Sequence, residues 1–163
     1  MSSSIRTQLA VAAATGFGLG LSPVASGTAG TLLGIPLVLL LWPLGLSVQI
    51  AAAAALPLVA IPICGAAERA YGKKDDGRIV ADEYLTFPLC MVGLPAVPWV
   101  MALAFLSHRV FDILKPPPAR GLQALKGGLG IVIDDVFASL YALAFNWAVY
   151  WSVSRMFLGV TPQ

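Results

Sequence analysis

Charge is scarce in this chain, and its scarcity argues against a soluble fold. Asp, Glu, Lys and Arg make up 11% of the 163 residues while 58% are hydrophobic. Soluble domains carry about 25% charge, so this is the composition of a membrane protein. Histidine is nearly missing: His108 stands alone, and a histidine nucleophile would have no second histidine to act as its acid. The two cysteines, Cys64 and Cys90, sit in separate apolar runs without metal or redox spacing, and are expected as buried free thiols. Cys64 also stands too close to Arg69 for the anion loop of a cysteine phosphatase, and its apolar surroundings disfavour a thiolate. No nucleotide-binding loop of the Gly-x-x-x-x-Gly-Lys-Ser/Thr type occurs. A net charge of +2 with acids interspersed provides no dense basic face for nucleic acid. Asp76-Gly77 begins the aspartate pattern of membrane enzymes that join alcohols to cytidine-diphosphate lipids, but nothing after it continues that pattern.

The charge that is present is concentrated. Of 18 formally charged side chains, 16 lie in residues 68–83 and 109–135, and these two windows hold all eight acids. Such a distribution separates a lipid-facing scaffold from a polar working site. A spanning helix needs about 20 mostly apolar residues. Four stretches qualify: residues 28–41 with their flanks, 48–67, 84–106 and 131–151. The third is interrupted by Gly93-Leu94-Pro95-Ala96-Val97-Pro98, whose prolines forbid a regular helix interior, so two helices meeting at a turn are expected there. Residues 9–21 look like a signal-peptide core, but Gly16, Gly18 and Gly20 break the run and no clean cleavage site follows; the segment is expected to remain. The expected architecture is all-α, one domain over residues 1–163, a compact integral membrane bundle of five to six helices with four spanning segments.

Uncharged connectors at 42–49 and 93–99 alternate with charged ones at 68–83 and 115–130. Lys and Arg mark the cytoplasmic side of a membrane protein, and Arg69, Lys73, Lys74, Arg78, Lys115, Arg120 and Lys126 all fall in the charged connectors. Both windows then share the inner face, where segments distant in sequence can build one site.

Asp82 and Glu83 directly precede the apolar segment that starts at Tyr84. Acids in a first helical turn complement the helix dipole, which is their structural reading. Arg109, Asp112 and Lys115 recur at three-residue spacing, either as an intrahelical ion-pair ladder or as a polar face turned to a site. Asp134 and Asp135 lie between Ile131-Val132-Ile133 and Val136-Phe137-Ala138, inside a spanning segment, where a carboxylate needs a partner. Five acids at such depth with few cations beside them would repel one another or take up protons. A divalent cation relieves the crowding, and all-oxygen ligands completed by phosphate oxygens suit Mg²⁺. Arg109, Lys115, Arg120 and Arg78 remain to hold a phosphate. The small-residue stretch 22–31, around Gly27 and Thr28, either offers backbone N–H groups to an anion or serves close helix packing.

Taken in order, the motifs form a pattern. Gly16-Phe17-Gly18 with Leu21-Ser22-Pro23 and Gly27-Thr28-x-Gly30 comes first, then Asp76-Gly77 with Ile79-Val80-x-Asp82-Glu83. Arg109-x-x-Asp112-x-x-Lys115-Pro116-x-Pro118 follows, then Gly127-Gly128-x-Gly130-Ile131 with Asp134-Asp135. Over residues 16–150 this closely resembles the phosphatidylglycerophosphatase A family. Ser26 stands where that family usually has Pro, and Thr31 where Ser is common; both keep the loop small or hydroxyl-bearing. The resemblance implies an all-helical fold and a Mg²⁺-dependent removal of the terminal phosphate from phosphatidylglycerophosphate, a membrane lipid, at the cytoplasmic face of the bacterial inner membrane. It implies Asp82, Glu83, Asp134 and Asp135 as metal ligands and Asp112 as a further ligand or the base. Arg109, Lys115, Gly27 and Thr28 would then bind the substrate phosphate. A different class, a small cation- or proton-coupled transporter, would also use intramembrane carboxylates. It needs polar residues continuing to the far face, and the connectors at 42–49 and 93–99 carry no charge.

Overall fold

The computed structural model describes residues 4–158; Met1 to Ser3 and 159–163, the two ends of the expected single domain, lie outside the described residues. Among the described residues there are seven α-helices and no strands. They are α1 (Ile5–Ala14), α2 (Ser26–Leu41), α3 (Leu46–Tyr71), α4 (Ala81–Thr86), α5 (Pro98–Leu114), α6 (Ala119–Leu122) and α7 (Gly128–Val153), with short 3₁₀ turns between several of them. The all-α expectation holds.

Among the described residues three helices, not four, are long and apolar enough to cross a membrane: α2 with its following turn (Ser26–Leu44), α3 (Leu46–Tyr71) and α7 extended to Met156 (Gly128–Met156). The stretch at 84–106 is divided more deeply than its central turn suggested. Helix α4 stops at Thr86 and a 3₁₀ segment runs over Phe87–Met91, entered through Pro88. After a turn, α5 starts with Pro98 at its first position, where the missing N–H costs nothing. Helix α5 then continues well past the expected end, to Leu114, carrying Arg109 and Asp112 in its last turns. Lys115 caps it in a left-handed conformation, and Pro116 follows, which favours a stop at that point.

Helix α7 is the central strut, packed against α3 on one side and α5 on the other, while α4 is wedged among α2, α3 and α7. Small residues set these distances. A Cβ at Gly128 would lie 1.8 Å from the Ile61 carbonyl oxygen, and one at Gly65 would lie 3.1 Å from the Gly128 nitrogen; α3 and α7 therefore meet backbone to backbone, a mode of close packing that membrane helices favour. Helix α1 braces the far side: Val80 N–H donates to Ala14 O at 2.8 Å and the Tyr84 hydroxyl to Ala13 O at 3.0 Å, which fixes where α4 begins. Ser139 on α7 donates to Thr86 O at 3.1 Å, pinning where α4 ends. Cys64 and Cys90 are buried and free, as their apolar settings predicted.

Candidate active site

Helix α4 is only six residues long, and its first turn delivers two carboxylates, Asp82 and Glu83, into the interior. Helix α5 delivers Arg109 and Asp112, its cap delivers Lys115, and α7 delivers Asp134 and Asp135 about 10 Å along its axis from Gly128. All seven line one cavity of about 430 Å³, together with Ala25, Ser26, Gly27, Asp75, Gly77, Ile79 and Ile113. Thr28 lies one residue further along α2, outside that lining. The two charged windows of the sequence thus converge from four separate elements. Arg120 borders an adjoining opening with Lys74, Asp75, Gln123 and Ala124 instead. Arg78 turns to Asp76, with its Nε 2.8 Å from Asp76 Oδ1; that hydrogen bond is the main reason the Asp76 carboxyl is held down to about 2.

Six carboxylates in this lining face two cations, and the cations are already engaged. Arg109 Nη1 reaches Asp112 Oδ2 at 2.8 Å, Glu83 Oε1 at 3.2 Å and Thr31 Oγ1 at 3.4 Å. Lys115 Nζ bonds Asp134 Oδ2; burial works against its charge, but this bond and the charges of Asp134, Asp112 and Asp135 together outweigh it and hold the ammonium above the ordinary lysine range. Four buried oxygens are left without a partner: Asp82 Oδ1, Glu83 Oε2, Asp134 Oδ1 and Asp135 Oδ1. Asp82 and Glu83 lie outside the three membrane-crossing helices, and burial pushes both carboxyls up, Glu83 to about 8 even though Arg109 pulls against the rise. Buried polar atoms are almost always satisfied, and these four unpartnered carboxylate oxygens around one cavity could hold a cation. Asp112, Asp134 and Asp135 each offer an oxygen within 4.8 Å of the others, the spacing of an all-oxygen hard-ion site. This grouping brings Asp112 closest to the α7 pair, whereas the sequence reading paired Asp134 and Asp135 with Asp82 and Glu83.

Three features here were not legible in the sequence. Asp75 lines the cavity, its Oδ2 accepting from Gln123 Nε2 at 2.8 Å; its only local signal is its place next to the Asp76-Gly77 turn. Gly27 and Gly30 make room: a Cβ at Gly27 would lie 2.0 Å from Glu83 Oε1 and 2.9 Å from Arg109 Nη2, and one at Gly30 would lie 2.3 Å from Glu83 Oε2. Further along the same face of α2, a Cβ at Gly34 would meet Phe87 Cβ at 2.5 Å. The glycine stripe of α2 is the bed on which α4 and its carboxylate lie. Finally, of the four non-glycine residues with positive φ among the described residues, three line the cavity: Ala25 (φ 50°), Asp75 (φ 47°) and Lys115 (φ 45°). Backbone strain of this kind gathers at functional sites. His108, by contrast, is buried edge-on to Phe87 with ring centroids 5.7 Å apart and does not line the cavity.

Known proteins resemble this chain over most of its length. The family model for phosphatidylglycerophosphatase A matches residues 12–150. A Haemophilus influenzae phosphatidylglycerophosphatase A is 39% identical over 142 residues, covering 85% of this chain and 87% of its own. The Escherichia coli phosphatidylglycerophosphatase A is 33% identical over 147 residues, covering 82% of this chain and 83% of its own. A Bacteroides thetaiotaomicron protein named for phosphatidylinositol-3-phosphatase activity is 32% identical over 158 residues, covering 89% of this chain and 96% of its own. No solved structure matches the chain. With its carboxylate cavity, its membrane-crossing helices and a family match over most of its length, the chain belongs to the phosphatidylglycerophosphatase A family of phosphatases.

Proposed function

We propose that this phosphatase hydrolyses the terminal phosphomonoester of phosphatidylglycerophosphate, giving phosphatidylglycerol and inorganic phosphate in phospholipid biosynthesis. It does so with Mg²⁺, at the cytoplasmic face of the bacterial inner membrane. The observation that carries this reading is the set of orphaned carboxylate oxygens from α4 and α7 around one cavity, beside two fixed cations. Two relatives are named for the same lipid, and the clustering of Lys and Arg in the connectors on the site's side supports a cytoplasmic orientation.

Asp82, Glu83, Asp134 and Asp135 would hold one or two Mg²⁺, with Asp112 either a further ligand or the acceptor of the proton from the attacking water. When bound, Mg²⁺ supplies positive charge to the phosphoryl oxygens and makes nearby water more acidic. A water oxygen forms the new P–O bond, the ester P–O bond breaks, and the departing alkoxide takes up a proton. Arg109 and Lys115 neutralise the phosphoryl group as its charge redistributes. Arg109 is held in orientation by Glu83, Asp112 and Thr31, so its guanidinium need not reorganise during the reaction. The first turn of α2, at Gly27 and Thr28, is the third side of the phosphate site in this reading.

The test is phosphate release from phosphatidylglycerophosphate in detergent, with and without Mg²⁺, for the wild type and for Asp82→Asn, Asp112→Asn and Asp135→Asn. The expected result is metal-dependent release that all three substitutions abolish. Full activity in all three variants contradicts the mechanism, and undiminished turnover after exhaustive chelation contradicts the metal. Phosphatidylinositol 3-phosphate in the same assay is expected to be the poorer substrate.

A further inference from the structure

The cavity mouth has two unlike sides. One side is polar: Asp75 and Gly77 line it, and Lys74 and Arg120 stand with Asp75 around the adjoining opening. The other side is apolar: Ile113 lines the same cavity as the carboxylates and yet is 70% exposed, next to an equally exposed Leu114. Ala25, Ser26 and Gly27 at the start of α2 line the same cavity, preceded by Val24, whose side chain is also exposed. No formal charge occurs anywhere in residues 7–67, so the entire α2 wall is compatible with hydrocarbon. The Ser26 hydroxyl, the one polar side-chain group at this edge of the cavity, is satisfied within the protein by donating to Gly77 O at 2.7 Å.

An amphiphilic mouth fits an amphiphilic ligand. Resting on the phosphatase reading above, we infer that the cavity opens sideways into the bilayer between the start of α2 and the end of α5. The acyl chains of the membrane phospholipid substrate lie over Val24, Ile113 and Leu114 while its phosphate enters the carboxylate site. Continuity carries the assignment: Ile113 belongs at once to the polar cavity and to the exposed apolar surface. The released phosphate, being strongly hydrated, leaves over the Asp75 and Gly77 rim, and the lipid product never quits the membrane.

Ile113→Cys, labelled with a fluorescent maleimide in lipid vesicles, tests the position directly, because the native Cys64 and Cys90 are fully buried and do not compete for label. Quenching by lipids with brominated acyl chains is expected; quenching by iodide alone, or shielding from both quenchers, overturns the portal. In parallel, Val24→Asp is expected to lower turnover of long-chain phosphatidylglycerophosphate at least about tenfold relative to a dihexanoyl analogue dissolved as monomers, one buried charge against hydrocarbon sufficing for such a ratio. An unchanged ratio overturns the inference. A wild type that releases phosphate from neither lipid contradicts the phosphatase reading instead, and the bromolipid result then still reports on the portal.

Discussion

The two ends of the bundle are built from opposite chemistry. At one end α4, α5 with its cap, α7 and the turn before α4 bring six carboxylates and two cations to a cavity. At the other, Trp42, Trp99, Trp147 and Tyr150 gather around the turn at 92–97: Trp42 Nε1 donates to Leu94 O and Trp147 Nε1 to Val92 O, both at 3.1 Å, while Trp99 stacks on Tyr150 with centroids 5.9 Å apart. Gln49 Oε1 accepts from Gly93 N–H at 2.9 Å at the same turn. At the acidic end four buried carboxylate oxygens have no partner. The turn carbonyls at one end are met by indole N–H groups, whereas the buried carboxylates at the other are only partly paired. Along α7, Asp135 and Trp147 are about 18 Å apart, and along α2, Gly27 and Trp42 about 22 Å. Aromatic rings of this kind prefer the membrane boundary, so a hydrocarbon layer of about 30 Å would reach past the carboxylates.

This contrast is open to test by substitutions that should separate activity from stability. Asp112→Asn and Asp135→Asn are expected to lower phosphate release by on the order of 10³-fold or more, the first by removing a further ligand or the proton acceptor and the second by removing a ligand of the proposed metal, with thermal melting in detergent unchanged or raised as like-charge crowding is relieved. A melting point that falls in step with activity would make these acids structural. Arg109→Lys keeps the charge but loses the planar fork that reaches Glu83, Asp112 and Thr31 at once; turnover is expected to drop about 10²-fold, and wild-type turnover would show that a point charge suffices. Gly27→Ala places a methyl group where the Glu83 carboxylate and Arg109 now lie. A loss of about tenfold in turnover is expected, in the range that a small misplacement at a reacting centre produces, and full activity would show that α2 can move aside freely. At the aromatic end the sign of the split reverses. Trp147→Phe leaves Val92 O without its donor and is expected to cost about 1 kcal/mol of stability, seen as a lower melting point, with turnover per folded molecule intact.

The same contrast explains what the sequence made legible. Helices α2, α3 and α7 were readable to within a few residues because their apolar runs are long and bounded by charge or Gly and Pro, and hydrocarbon length is a strict requirement. The stretch at 84–106 was harder: its composition is as apolar as a span, and only local geometry at Pro88 and Pro98 shows that a short helix, a 3₁₀ turn and a separate helix share it. The acids were singled out because charge is so rare elsewhere, and Glu83 and Asp135 do line the same cavity. Which acids would stand nearest one another was not readable, because Asp112 meets Asp134 and Asp135 only through the packing of α5 on α7. The Gly27-Thr28-x-Gly30 motif kept two open readings in sequence. The structure adds a contact no local rule contains, the Glu83 carboxylate lying against the glycine face.

The central claim is that these acids tolerate one another only by sharing a doubly positive ion. Mn²⁺ binding to the purified wild type in detergent, followed by electron paramagnetic resonance and competed with Mg²⁺, measures this without reference to turnover. The account predicts saturable, Mg²⁺-displaceable binding that Asp82→Asn and Asp135→Asn each weaken at least about tenfold. Absence of binding to the wild type, or equal binding to all three proteins, would contradict it.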